Sequence, residues 1–165
     1  MREVRCCEVT HFQFSLTSNL CFIMCKSKVN AAVALKATGR YNCAQAVACT
    51  YCDEAGCAHD RMYDTTNAFG VGMGNMEGTC GALVGAGVVL GLKLADRAAS
   101  MKAMRRIMTR FAERNGTTVC HELKGVQSGC PRRACHDCVA DAAEFLEEEL
   151  GLASTGQENR AHVRE

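Results

Sequence analysis

Cysteine is the residue type that stands out: 13 of 165 residues, far above ordinary usage. A thiolate is the form that attacks a disulfide or binds a metal, so the useful thiols are those placed where a thiolate is stabilised. Three positions qualify. Asn42 is a good N-cap, with Gln45 three residues on as in a capping box, and Cys43 directly follows it. Thr79 reads as the cap of another helix, and Cys80 directly follows. Cys135 falls in the first turns of a last helix whose opening suits Pro131. Free backbone N–H groups and the helix dipole at such positions lower a thiol's pKa. Cys80 lies in line with Val84, Gly87 and Gly91, and Cys135 with Val139, Ala142 and Leu146. Both thiols therefore face other helices, and inward thiols at several helix starts can converge on a shared cluster or a zinc site. The plainer reading makes each one a small buried hydrophobe.

The other cysteines carry weaker signals. Cys49 and Cys52 point roughly 120–180° away from Cys43 on an ideal helix. With Cys57 they are either core filling or a second redox pair. Cys6, Cys7, Cys21 and Cys25 carry no assignment. Covalent c-type haem needs Cys-x-x-Cys-His. Cys49–Cys52 is followed by Asp53 and Cys135–Cys138 by Val139, so neither qualifies. His121 and His136 adjoin candidate ligands and could join a zinc site, although plain surface residues are the commoner case. The glycines from Gly70 to Gly78 lack the Gly-Lys-Ser/Thr ending of a phosphate loop. A tight turn beside the thiols explains them better.

The stretches Tyr41–Ala44, Phe69–Gly74 and Gly78–Gly85, Cys120 with Leu123 and Gly125, and Cys135 with Val139–Glu144 resemble the C-GCAxxG-C-C family of redox-active proteins. The likeness runs from about Lys26 to Gly151 and is most specific around Cys80. It implies that the family's recurrent cysteines fall on Cys43, Cys80, Cys120 and Cys135, with Cys138 as a substitute or additional ligand. The family is also similar to a portion of the split-Soret cytochromes, which carry haem and an iron–sulfur centre. The resemblance thus implies a helical fold and a redox or iron–sulfur role, and names no substrate.

The elements that must position these thiols are helical. A first helix is expected over Lys28–Thr38, stopped by Gly39, and a second runs from Asn42 toward Gly56. A short one follows around Asp60–Ala68. The helix Cys80–Leu94 carries Gly81, Gly85, Gly87 and Gly91. Each glycine costs about 1 kcal/mol there relative to alanine, so close approach of another backbone is the expected reason. Asp96 caps an amphipathic helix to Asn115, with Met101, Met104, Met108 and Phe111 as its apolar stripe and Gly116 as its stop. The last helix ends at Gly151.

Together these make an all-α bundle of five or six helices over residues 26–151. Residues 1–25 read as an N-terminal extension of unsettled status, in which translation could begin at Met24. The tail 152–165 is polar and expected to be disordered. A net charge of +1 leaves no footprint for nucleic acid or an anionic membrane. The basic residues from Arg97 to Arg114 come at helical spacing, as on a solvated face. No apolar run reaches the roughly 20 residues of a membrane span. The odd cysteine count, the helix-forming sequence between cysteines and the lack of an uninterrupted apolar leader favour a reducing cytoplasm. The expected function is a redox-active cysteine protein that binds an iron–sulfur cluster and carries electrons to an unnamed redox partner. A metal-free thiol–disulfide oxidoreductase and a structural zinc module are the alternatives. Self-association into a homo-oligomer stays open.

Overall fold

The structure, a computed structural model, describes residues 27–152. The expected extension over 1–25, a start at Met24 and nearly all of the tail lie outside the described residues. Leu152, placed in the tail by sequence, packs against the core.

Seven α-helices follow in order: α1 (Val29–Ala37), α2 (Cys43–Thr50), α3 (His59–Thr65), α4 (Gly81–Leu94), α5 (Arg97–Asn115), α6 (Cys120–Leu123) and α7 (Cys135–Leu150), with a 3-10 turn over Asn67–Phe69 between α3 and α4. Among the described residues there is no strand, only a single antiparallel bridge between Thr79 and Val119. The all-α expectation holds. The short helix expected around Asp60–Ala68 is α3, with 7 residues, and the one extra helix, α6, has 4. No helix of the described residues is long and apolar enough to cross a membrane.

α4 is the centre of the bundle and packs against α2, α5 and α7. Ala82, Leu83, Ala86, Val89 and Leu90 are fully buried along it. Two of its glycines let α2 come close. A Cβ at Gly85 would run onto the Ala44 carbonyl oxygen, and one at Gly81 would stand 3.2 Å from the Cys43 Cβ and 2.6 Å from the Phe69 oxygen of the 3-10 turn. The other two differ from expectation. Gly87 has only the Met104 Sδ at 3.5 Å, and Gly91 has nothing within 4 Å. Gly87 faces a side chain of α5 and Gly91 is open, so no backbone approaches either position.

α5 keeps its expected limits, with Asp96 accepting from the Ala99 N–H and Gly116 in the left-handed region. Its buried stripe is shifted from the methionines. Ala103, Ile107 and Phe111 are buried, Met104 and Met108 only partly, and Met101 is 54% exposed. The basic residues on α5 are more than a solvated face. Arg106 pairs with Glu149, Arg110 with Glu148, and Arg114 with Glu144 and Asp141, all on α7. Arg110 and Arg114 also lie 4.3 and 4.2 Å over the Phe145 ring. The two helices are thus joined by an apolar seam edged with ion pairs.

α1 is anchored by a buried carboxylate. Glu147 on α7, 4% exposed, accepts from the Lys28 N–H at 2.6 Å and from the Tyr51 hydroxyl at 2.9 Å. These bonds supply the partners that a buried polar group requires.

Candidate functional site

The N-terminal ends of α2, α4, α6 and α7 each deliver a thiol. At α2 the capping box forms as expected: Gln45 N–H donates to Asn42 Oδ1, and Asn42 N–H donates to Gln45 Oε1, each at 2.9 Å. Asn42 Nδ2 also donates to the Thr66 and Asn67 carbonyls. These bonds fix the start of α2 and put Cys43 at its first position.

At α4 the cap is Cys80 itself, not Thr79. Cys80 N–H donates to the Thr118 carbonyl at 2.8 Å, and Cys120 N–H donates to the Gly78 carbonyl at 3.0 Å. This pairing draws Thr79 into the bridge with Val119 and sets Cys80 beside Cys120. At α7 the cap is Ala134, and Pro131 lies outside the helix. The Arg132 and Arg133 amides both donate to the Leu123 carbonyl. That holds residues 131–133 as a loop against α6, so Cys135 opens α7.

The glycine loop closes over the cluster. Gly74, Met76 and Gly78 amides donate back to Gly70, Val71 and Gly72 carbonyls. Gly72 has φ +55°, and a Cβ there would stand 2.6 Å from the Cys120 Cβ. The glycines thus give a tight turn beside a thiol, as the sequence led us to expect.

The thiols meet in two pairs. Cys43 is hydrogen-bonded to Cys135, and Cys80 to Cys138. Cys120 lies within electrostatic reach of Cys80 and Cys135. In the first pair the Cys135 thiol is lowered to about 6, chiefly by the bond from Cys43, against the opposing effect of burial. Lys124, Lys36 and His136 add to the lowering. Cys43 is pushed far up by the same bond, by burial and by the charges of Cys135 and Cys80. Cys43 S–H therefore donates to a Cys135 thiolate.

In the second pair Cys80 is lowered by its bond from Cys138, and the Ala82 and Leu83 amides in the first turn of α4 help. Cys138 is pushed far up by the bond to Cys80 and by burial. Cys120 is raised, mainly by burial. The first pair therefore shares one proton between two sulfurs. Helix-start amides lower only Cys80; Cys135 is lowered by Cys43 and nearby cationic side chains, and Cys43 is raised by its partner and by burial.

Cys80, Cys120 and Cys138 are buried, whereas Cys43 and Cys135 are partly exposed. The cluster thus has a closed side against the core and an open edge between α2 and α7. Among the described residues no three His, Cys, Asp or Glu side chains are grouped as ligands of one metal ion. The arrangement is two contacts of two thiols.

Cys43, Cys80, Cys120 and Cys135 all belong to this neighbourhood. Cys138, which the sequence offered as a substitute, is a full member as the partner of Cys80. The available signal was Cys135-x-x-Cys138 at a helix start, which the missing histidine had dismissed as a haem motif. His121 turns to Glu77 and the Met76 carbonyl, while His136 stays exposed. Cys49 sits at the far end of α2 with Cys52 and Cys57 for neighbours, away from Cys43 as the helical angle requires.

A family described as "Putative redox-active protein (C_GCAxxG_C_C)" matches residues 41–149. The chain belongs to the C-GCAxxG-C-C family. The match spans the four helix starts that carry the five thiols. No curated protein and no solved structure matches the chain.

Proposed function

We propose that this C-GCAxxG-C-C protein is an electron-carrying redox protein whose thiol cluster takes a binuclear iron–sulfur centre. Cys43 and Cys135 would form one ligand pair, and Cys80 and Cys138 the other. The observation that carries the reading is the pairing of thiols. Two tetrahedral sulfur ligands at about 2.3 Å from one metal stand only roughly 3.8 Å apart, so thiols that share a metal must be immediate neighbours. A single zinc ion would call for four ligands about one point. Two contacting pairs suit two irons, each taking two cysteines, and four cysteines are the usual complement of such a centre.

The bound centre would supply one-electron transfer. The chain supplies the rest. The α4 amides of Ala82 and Leu83 favour the ionised form of Cys80. Leu83, Val139 and Ala142, all fully buried, belong to the core behind the closed side. Cys120 is a fifth thiol beside Cys80, available to exchange with a ligand.

The test is iron and acid-labile sulfide analysis of anaerobically purified protein, with visible absorption. Single Cys→Ser changes at 43, 80, 135 and 138 should each remove most of the iron. Cys120→Ser should remove less, and Cys49→Ser or Cys57→Ser little. Equal loss at all sites would reject a localised centre.

A second reading rests on the same contacts. Cys135 is a partly exposed thiolate touching Cys43, the arrangement of a dithiol that exchanges with disulfides. Protein free of iron and sulfide that reversibly forms Cys43–Cys135 and Cys80–Cys138 disulfides would establish it instead.

A further inference from the structure

A second group of thiols lies at the opposite end of α2. We propose that Cys52 and Cys57 are a reversible dithiol–disulfide pair that reacts with low-molecular-weight disulfides, a redox site separate from the five-cysteine cluster.

Local geometry builds the pair. After Thr50 the chain leaves α2 in a run of turns, and Gly56 takes the left-handed conformation at φ +62°. That reversal lets the Cys57 N–H donate to the Cys52 carbonyl at 2.9 Å. A bond joining these two peptide groups draws the two α-carbons toward the roughly 4.4–6.8 Å that a disulfide spans. Gly56 has no atom within 4 Å of a would-be Cβ, so the reversal packs against nothing.

Access favours the same two residues. Cys52 and Cys57 are partly exposed, and Cys49 beside them is buried at 4%. Burial and the nearby Cys52 and Cys57 push the Cys49 thiol up to about 11; burial and Asp53 raise Cys52 as well, so Cys57 is the thiol that attacks first. Cys49 Sγ is also core, whereas Cys57 Sγ reaches out to the Ala58 carbonyl at 3.6 Å. Lys28 spans Asp53 and Glu54 within the same turn, at 2.6 Å to each. The segment between the two thiols is therefore held in place.

The reaction balances with oxidised glutathione as the oxidant. The Cys57 thiolate attacks one glutathione sulfur, the glutathione S–S bond breaks, and one glutathione thiolate leaves and takes up a proton. The Cys52 thiolate then attacks the Cys57 sulfur and expels the second glutathione, which is protonated in turn. Two electrons pass from the pair to glutathione, and the two thiol protons end on the two glutathione thiols.

The test incubates the reduced full chain with graded ratios of oxidised to reduced glutathione, then traps free thiols by alkylation. Cleavage before Asp53 separates Cys52 from Cys57, so mass spectrometry sees their peptides joined only through sulfur. The expected result is a Cys52–Cys57 crosslink that rises with the ratio and disappears with dithiothreitol. It should persist in Cys49→Ala and be lost in Cys52→Ser, which should hold a stable glutathione adduct on Cys57. Crosslinks of Cys49 to either neighbour, or persistent glutathione adducts in the wild-type chain, would overturn the assignment. Iron content measured in parallel keeps the result independent of the cluster: a crosslink that forms at unchanged iron belongs to this site.

Discussion

Replacing Cys43 by alanine tests the protonation of the open pair. The Cys135 thiol is lowered to about 6, and the hydrogen bond from Cys43 is the largest cause. Cys43→Ala removes that donor and leaves Lys36, Lys124 and His136 in place. If the bond carried the whole shift, the thiol would return to about 8.5. At pH 7 the thiolate fraction would then fall from roughly 0.9 to roughly 0.03, about 30-fold. A more basic thiolate is the better nucleophile, and with a Brønsted slope of about 0.45 a rise of 2.5 units returns roughly 13-fold. The two effects nearly cancel, and the alkylation rate at pH 7 would drop only about twofold. The pH profile is the decisive readout, because at pH 5.5 the same arithmetic gives roughly an 18-fold loss. The assay is iodoacetamide alkylation of metal-free, reduced protein from pH 5 to 10, read at Cys135 by mass spectrometry. The wild-type midpoint should fall near 6, Cys43→Ala should move it upward by more than a unit, and Cys43→Ser should move it less, since a hydroxyl still donates. A wild-type midpoint at the free-cysteine value, or one that Cys43→Ala leaves unmoved, would refute the shared-proton pair.

Other outcomes follow from the same geometry. Gly85→Ala should destabilise the fold by about 1–3 kcal/mol in chemical denaturation, since its methyl group must displace the Ala44 carbonyl, whereas Gly91→Ala should stabilise an open helical position by up to about 1 kcal/mol. Asp141→Asn should cost about 1–3 kcal/mol, less than a fully buried pair because Arg114 and Arg133 keep solvent contact; an unchanged denaturation midpoint would show that the two arginines find other partners. At the open edge, anionic iodoacetate should gain on neutral iodoacetamide at Cys135 at low salt, and Lys36→Glu with Lys124→Glu should reverse that preference, because both lysines act on this thiolate.

Local rules made much of this legible from sequence. The Asn42–Gln45 box, the stops at Gly39, Gly116 and Gly151, and the limits of α5 are all set by side chains within a turn of the boundary, and the chain displays them directly. The misplaced caps at Thr79 and Pro131 failed for the opposite reason. Thr79 was claimed by Val119, 40 residues away, and the loop at Pro131 by the Leu123 carbonyl, and no local signal encodes such partners. The shifted stripe of α5 has the same origin: which side of a methionine-rich helix is buried depends on where α4 and α7 lie. For the thiols, sequence marked which could be ionised but not which would touch. That pairing is set by the crossing of α2 and α4 with α7, and it turned Cys43 from an expected thiolate into a proton donor.

The opposed shifts within each pair also explain how so many cysteines coexist in a half-buried site. Five thiolates there would repel one another strongly at low dielectric. The structure lowers Cys135 to about 6 and lowers Cys80, raises their partners Cys43 and Cys138, and raises Cys120 by burial. The charge on Cys135 is met by Lys36, Lys124 and His136, and the first-turn amides of α4 favour the ionised form of Cys80. The thiol-bearing helix starts therefore form a site that is partly charged before anything binds. A cation drawing on all four paired sulfurs must still displace the protons on Cys43 and Cys138. Binding must accordingly weaken as pH falls, and it must weaken faster once Cys135 also takes up a proton below about 6.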